Sequence, residues 1–374
     1  MKKNLRKWLG LGVATLMAFS VVGCGSGAAT TNSGAASDHT AEANTAKDGA
    51  KKIGVAMPTK DLQRWVQDGE NMEKELEAAG YEVDLQYANN DIATQVSQIE
   101  NMIASNCDIL VIASIDGKSL GTALSGAKDA GIPVIAYDRL IMETDAVSYY
   151  ATFDNELVGT LQGEYIENAL DLKNVAGPFN IELFTGSSDD NNCNFFFGGA
   201  MKVLQPYIDE GKLVVKSGST TLAECATPSW STEEAQKRME NIISAYYSDG
   251  TKLDAVLSSN DSVANGITNA LVASYNGDFP ILTGQDCDIT SVKNILAGKQ
   301  SMSIFKDTRT LASQVVKMVT AIVNGEEVPV NDTTTYDNGT GIIPSYLCEP
   351  VFADANNYKE LLVDSGYYTE DQLQ

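Results

Sequence analysis

Histidine is nearly absent from this chain, with one in 374 residues. That residue, His39, falls between positions 25 and 50, a stretch of Gly, Ser, Ala, Thr, Asn and Asp without apolar periodicity. The remainder therefore has no imidazole to serve as metal ligand or proton shuttle. Positive charge is scarce too, with 26 Lys and Arg against 50 Asp and Glu, a formal net charge of −24. Such a surface repels nucleic acid and anionic lipid headgroups. Beyond Cys24 there are five cysteines, Cys107, Cys193, Cys225, Cys287 and Cys348, with no CxxC pair and no zinc spacing. Their spacing selects no disulfide pairing, and buried small apolar positions are expected for most of them. Glycine-rich phosphate loops are missing. Asp189-Asp190 and Asp286-Cys287-Asp288 lack the spacing of a calcium loop. No metal and no cofactor are expected.

Long hydrophobic runs are confined to the start. Lys2, Lys3, Arg6 and Lys7 precede an apolar stretch from Trp8 to Gly23. A basic start, a short apolar core and small residues before a cut predict a secretory signal over residues 1–23 rather than a spanning helix. Gly23-Cys24 resembles the lipobox of bacterial lipoproteins, which implies cleavage before Cys24 and its lipidation. The composition of residues 24–50 cannot bury enough surface to offset ordering entropy, so a flexible tether is expected. The expected location is extracytoplasmic, lipid-anchored to the outer face of the cell membrane or periplasmic.

From Lys51 onward short apolar runs alternate with amphipathic segments. Lys52–Met57, Tyr81–Tyr87, Asp108–Ser114, Ile132–Ala136 and Tyr149–Phe153 read as strands. Arg64–Gly80, Ala93–Ser105 and Gly117–Ala130 read as helices between them. The rhythm restarts with strands at Phe179–Phe184, Leu213–Ser217, Ala255–Ser259, Pro280–Gly284 and Ser301–Phe305, and helices between these. A last long helix over Thr308–Asn324 precedes a turn-rich tail. Two runs of this kind predict two doubly wound parallel-sheet lobes of an α/β fold with a cleft between their strand ends.

Polar residues cluster just past the apolar runs, where such sheets bind ligands. Arg64 and Trp65 follow the first strand, and Asp138 and Arg139 follow the fourth. In the second run come Ser188–Asn192, Trp230 after Pro228, Asn260-Asp261, Asp286 and Lys306. Carboxylates, cations, amides and indoles suit a polyhydroxy ligand. Each hydroxyl both donates and accepts, and the C–H face of a pyranose stacks on indole. A surface ion pair is the plain alternative for Asp138 and Arg139, and core packing for each tryptophan. A two-carboxylate glycosidase would use Asp138 and Asp286, but three neighbouring cations hold both ionised, which disfavours a general acid. A transcription regulator would need a helix-turn-helix ahead of the first strand, where a signal and tether stand instead.

These residues carry a family resemblance. Arg64-Trp65, Gln98–Met102, Tyr137-Asp-Arg139, Phe153-Asp-Asn155, Asp190-Asn-Asn192, Ser259-Asn-Asp261, Gly284-Gln-Asp286, Pro344-Ser-Tyr346 and Gly366-Tyr-Tyr368 resemble bacterial sugar-binding proteins of the type I periplasmic-binding fold. The nearest members are xylose-binding and broad-specificity aldose receptors of ABC importers. The resemblance implies sugar contacts at Arg64, Asp138, Arg139, Asn192, Trp230, Asn260, Asp286 and Lys306, with Trp65 as an aromatic wall. It implies a first lobe of 51–155 plus 307–343 and a second of 156–306 plus 344–374, joined by a three-strand hinge. The expected function is non-catalytic: a monomer captures a xylose-, glucose- or galactose-type aldose and delivers it to a membrane permease. A sensing role in chemotaxis or signalling is the alternative. The five cysteines are not a feature of the family pattern.

Overall fold

A computed structural model of the chain describes residues 50–374; the expected signal over 1–23, Cys24, His39 and nearly all of the expected tether lie outside the described residues. Twelve strands run in chain order: β1 (Lys52–Met57), β2 (Glu82–Tyr87), β3 (Ile109–Ile112), β4 (Val134–Tyr137), β5 (Tyr149–Phe153), β6 (Phe179–Phe184), β7 (Leu213–Val215), β8 (Ala255–Ser258), β9 (Ile281–Leu282), β10 (Met302–Phe305), β11 (Ser345–Cys348) and β12 (Val351–Asp354). They form a parallel six-stranded sheet of order β2-β1-β3-β4-β5-β11, a parallel four-stranded sheet of order β7-β6-β8-β9, and an antiparallel pair β10-β12. A bridge between Gln285 and Ile304 carries the pair alongside the second sheet.

Both faces of the first sheet are covered, and the period-two alternation of its strands decides which residue meets which layer. Ile53, Val55, Ile109 and Val111 face helices Gln63–Ala78 and Thr308–Asn324 through Trp65, Met72, Leu76, Leu311 and Val315. Ala56, Leu110 and Ile112 face the opposite layer with Ile99, Met102 and Leu124. The second lobe repeats this scheme around β6 and β8. Among the described residues no helix is long and apolar enough to cross a membrane.

The chain passes between lobes three times. Helix Asn155–Ala169 leaves β5 and packs against helix Asn192–Asp209 of the second lobe. Helix Thr308–Asn324 leaves β10 and packs back on helix Gln63–Ala78. The third passage joins β11 to β12.

That last passage corrects the expected boundary. Residues 344–374 do not all belong to the second lobe, because Ser345–Cys348 pairs in register with Tyr150–Phe153 and becomes the edge of the first sheet. The tail read as turn-rich thus holds two strands. All five cysteines among the described residues are free and buried: burial agrees with what was expected for most of them, and the pairing that their spacing left open does not form.

Candidate functional site

In each sheet the strand order reverses around one central strand, β1 in the first and β6 in the second, with later strands added on the other side. Ligand crevices form at the carboxyl ends beside such reversals. A cavity lies there between the lobes, lined by Leu62, Arg64, Trp65, Asp138, Arg139, Asp190, Asn192, Phe196, Trp230, Asn260, Gln285, Asp286 and Lys306. All nine residues expected from sequence stand in this one wall. None is more than 8% exposed, so the lobes are closed over it.

Several walls are set by unusual backbone. Asp138, Trp230 and Asp286 have φ of 59°, 56° and 97°. Left-handed geometry is tolerable for Asp but strained for Trp, at about 1–3 kcal/mol per residue. Local hydrogen bonds hold it. The Asp138 carbonyl accepts from Tyr150 Oη (2.6 Å), Thr152 Oγ1 (3.1 Å) and Asn192 Nδ2 (2.7 Å), while its N–H donates to Ala151. The Asp286 N–H donates to the Ile304 carbonyl at 2.8 Å. Trp230 ends a 3-10 turn, Pro228–Trp230, and its ring occupies the space above Gly186. A Cβ at Gly186 would stand 2.1 Å from that ring.

Helix beginnings place the amides. Asn192 opens helix Asn192–Asp209, and its Oδ1 accepts from Asn155 Nδ2 at 3.1 Å. Asn260 caps helix Asp261–Ser274 by accepting from the Val263 N–H at 3.0 Å.

Ion pairs knit the walls together. Arg64 reaches Asp68 (2.8 Å) and Asp138 (3.0 Å) in its own lobe and Asp286 (3.3 Å) across the cleft. Lys306 meets Asp286 at 3.1 Å and Asp138 at 3.8 Å. Arg139 crosses to Asp190 at 2.9 Å and donates to the carbonyls of Ser114 and Ile115. Both guanidinium groups lie near the Trp65 ring, with Cζ 4.6 and 5.1 Å from its centroid. Phe196 meets Trp230 edge to face with centroids 6.3 Å apart. Trp65 and Trp230 are therefore core and cavity wall at once, joining the main apolar clusters of the first and second lobe.

The electrostatics argue for holding rather than reacting. Burial pushes the Asp138 carboxyl up, but Arg64, Lys306 and Arg139 together outweigh it and hold the group below the usual carboxylate range. The Arg64 guanidinium is pushed down by burial, yet Asp138, Asp68 and Asp286 raise it well above its ordinary value. Both stay charged. Burial pushes the Cys193 and Cys287 thiols, which flank Asn192 and Asp286, well up. Neither supplies a thiolate. No metal-holding group of three or more His, Cys, Asp or Glu occurs among the described residues.

Leu62, Asp190, Phe196 and Gln285 were absent from the expected set. Phe196 was within reach of sequence reasoning, since it lies one helical turn beyond Asn192 on the same face. Asp190 stands two residues before Asn192, and Gln285 directly precedes Asp286. Leu62 gave no polar signal.

Comparison with known proteins agrees with this architecture. Residues 53–327 match the family model described as the periplasmic binding protein domain. A multiple sugar-binding periplasmic protein of Azospirillum brasilense is 53% identical over 326 residues, 86% of this chain and 91% of that protein. The D-xylose-binding periplasmic protein of Escherichia coli is 38% identical over 322 residues, 86% of this chain and 92% of that protein. A crystal structure of an ABC transporter solute-binding protein from Clostridium phytofermentans with bound β-D-glucose is 72% identical, with a TM-score of 0.86 over 87% of this chain and all of that one. These are receptors, and the fold, the cleft and the match across most of its length make this chain a member of the periplasmic binding protein family, of the type I sugar-binding kind.

Proposed function

We propose that this protein captures an aldose monosaccharide between its lobes and delivers it to the permease of an ABC importer. The observation that carries the reading is the cavity wall itself. Nine buried side chains from both lobes line one cavity with carboxylates, cations, amides and two indoles, a mixture suited to alternating hydroxyls and a C–H face. The indole N–H groups of Trp65 and Trp230 are buried without a hydrogen-bond acceptor among the described residues. A sugar hydroxyl would accept from either, relieving a desolvation cost of about 1–3 kcal/mol per group. Charge-assisted bonds from Asp138, Arg139, Asp286 and Lys306 would add about 1.5–3 kcal/mol each before ordering costs.

Binding and closure are then one event. The two lobes act as bodies joined by the three passages, and a sugar that touches Arg64 and Asp138 on one side and Asn260 and Asp286 on the other selects the closed form. The protein works as a monomer without catalysis, and lipidation of Cys24 would keep it at the outer face of the membrane beside its permease. The names of the multiple-sugar and xylose receptors among its relatives, and the glucose in the Clostridium structure, favour an aldohexose or aldopentose.

A thermal-shift panel of monosaccharides tests this. D-glucose, D-xylose or D-galactose should raise the melting temperature by mass action, equivalent to about 2.7 kcal/mol at a hundredfold excess over Kd. A panel with no shift for any sugar would sink the reading.

A further inference from the structure

A second set of contacts between the lobes lies outside the cavity. On helix Gln63–Ala78, Gln63, Gln67 and Asn71 recur every four residues and so share one face. Opposite them stand Tyr367 and Tyr368. These residues belong to the second lobe, where Tyr368 packs with Cys287, Val292, Phe305, Ala353 and Leu362.

The hydrogen bonds between the two groups run in one consistent donor direction. Asn71 Nδ2 donates to Thr308 Oγ1 at 2.9 Å, and Thr308 and Tyr367 Oη lie 3.1 Å apart. Tyr367 Oη donates to Gln67 Oε1 at 3.2 Å. Gln67 Nε2 donates to Tyr368 Oη at 3.3 Å, as does Gln63 Nε2 at 2.6 Å. Tyr368 Oη then donates to the Cys287 carbonyl at 3.0 Å, and Gln63 Oε1 accepts from the Ile289 N–H at 3.2 Å. Each hydroxyl in the chain gives one bond and receives at least one, so closure leaves none of them unmatched.

The ends of this relay abut the sugar wall on both sides. Gln63 directly precedes Arg64 and Trp65, and Cys287 directly follows Asp286. Both Asp286 and Cys287 have positive φ. Fixing the Cys287 carbonyl and the Ile289 N–H from across the cleft therefore fixes the turn that presents Asp286 to Arg64.

We propose that the amide face of Gln63 and Gln67 and the Tyr367-Tyr368 pair form a clasp that favours the closed form without touching the ligand. Its residues are positioning residues. They raise affinity by raising the fraction of protein able to hold a closed cavity, and so they act equally on every ligand the cavity accepts. The inference rests on the sugar-capture reading for its ligands, but not for its sugar-free arm.

The test is Tyr368→Phe, with Gln67→Leu as a second variant. Phenylalanine keeps the ring in its apolar cluster and removes only the hydroxyl. Calorimetry with D-glucose, D-xylose and D-galactose should give Kd values raised by about tenfold for each sugar, with their ranking unchanged. Most of the change should lie in the dissociation rate. Sugar-free X-ray scattering should show a larger radius of gyration than wild type. Affinities within twofold of wild type in both variants, or a loss confined to one sugar, would overturn the clasp. If wild-type protein bound none of the three sugars, the capture reading would fail, and the sugar-free scattering would still decide the clasp.

Discussion

Asp138 lines the cavity from the first lobe and Asp288, two residues past Asp286, belongs to the second; burial pushes both carboxyls up, yet they end in opposite states. At Asp138 the guanidinium groups of Arg64 and Arg139 and the ammonium of Lys306 more than reverse the burial effect. Asp288 feels burial first and then Asp286, and the more distant Arg64 and Lys306 only soften the result, so its carboxyl is pushed up to about 7. Asp261, whose carboxylate accepts from Gln300, Ser303 and the Asp288 N–H, is driven well above the usual range by burial, Asp288 and Asp286. Burial alone does not decide the charge state of this site. The count of cations within contact does. The first-lobe wall holds a charged clamp around Asp138, whereas in the second lobe burial and neighbouring carboxylates push Asp288 up to about 7 and Asp261 well above its ordinary value.

The largest break in that contrast comes from removing the shared cation. Arg64→Leu takes the common partner from Asp68, Asp138 and Asp286 at once, leaving Asp68 with no cation and Asp138 and Asp286 to share Lys306. Breaking buried pairs costs about 3–5 kcal/mol, so sugar affinity measured by calorimetry should fall by two to three orders of magnitude or more. A smaller effect is expected on the second lobe's aromatic wall. Gly186→Ala forces the Trp230 ring from its place, because the added carbon would sit 2.1 Å from it. Affinity should drop by about tenfold, as expected for an off-rotamer ring and lost stacking, with little change in the first-lobe ion pairs.

The smallest effect is the most diagnostic. A raised carboxyl pKa means the folded chain holds the proton more tightly than the unfolded chain. Asp288 therefore costs no stability below about pH 4, costs progressively more as pH rises toward 7, and costs its full amount above that. Asp288→Asn removes this penalty. Its melting temperature should match wild type near pH 4.5 and exceed it increasingly up to pH 8. Asp138 has the opposite sign: its depressed pKa contributes stability that is present above about pH 4 and lost only as pH falls below it. Equal pH profiles for wild type and Asp288→Asn would remove the contrast.

Much of this site was legible because of how parallel strands end. Val134–Tyr137 is apolar and fully buried, and the charge that follows it at Asp138 can only stand at the sheet edge. The same logic found Arg64, Asn260, Asp286 and Lys306. What escaped depends on distant partners. Ser345–Cys348 has no strong strand pattern of its own, and it becomes a strand because Tyr150–Phe153, almost 200 residues earlier, offers an open edge. The Tyr367-Tyr368 pair stood out as a motif, but its meaning required Gln63 and Gln67 opposite it, and no local pattern joins them. The backbone of Trp230 at φ 56° was likewise invisible, since a left-handed tryptophan runs against local preference.

On the proposed reading a sugar seats against Trp65 and Trp230, the only tryptophans beyond the apolar start. Titrating the protein with D-glucose and D-xylose while following tryptophan emission tests it directly. A saturable change should reach its plateau at one sugar per chain, with the midpoint matching the calorimetric Kd. Binding heat that saturates with no change in emission would place the sugar elsewhere and contradict it.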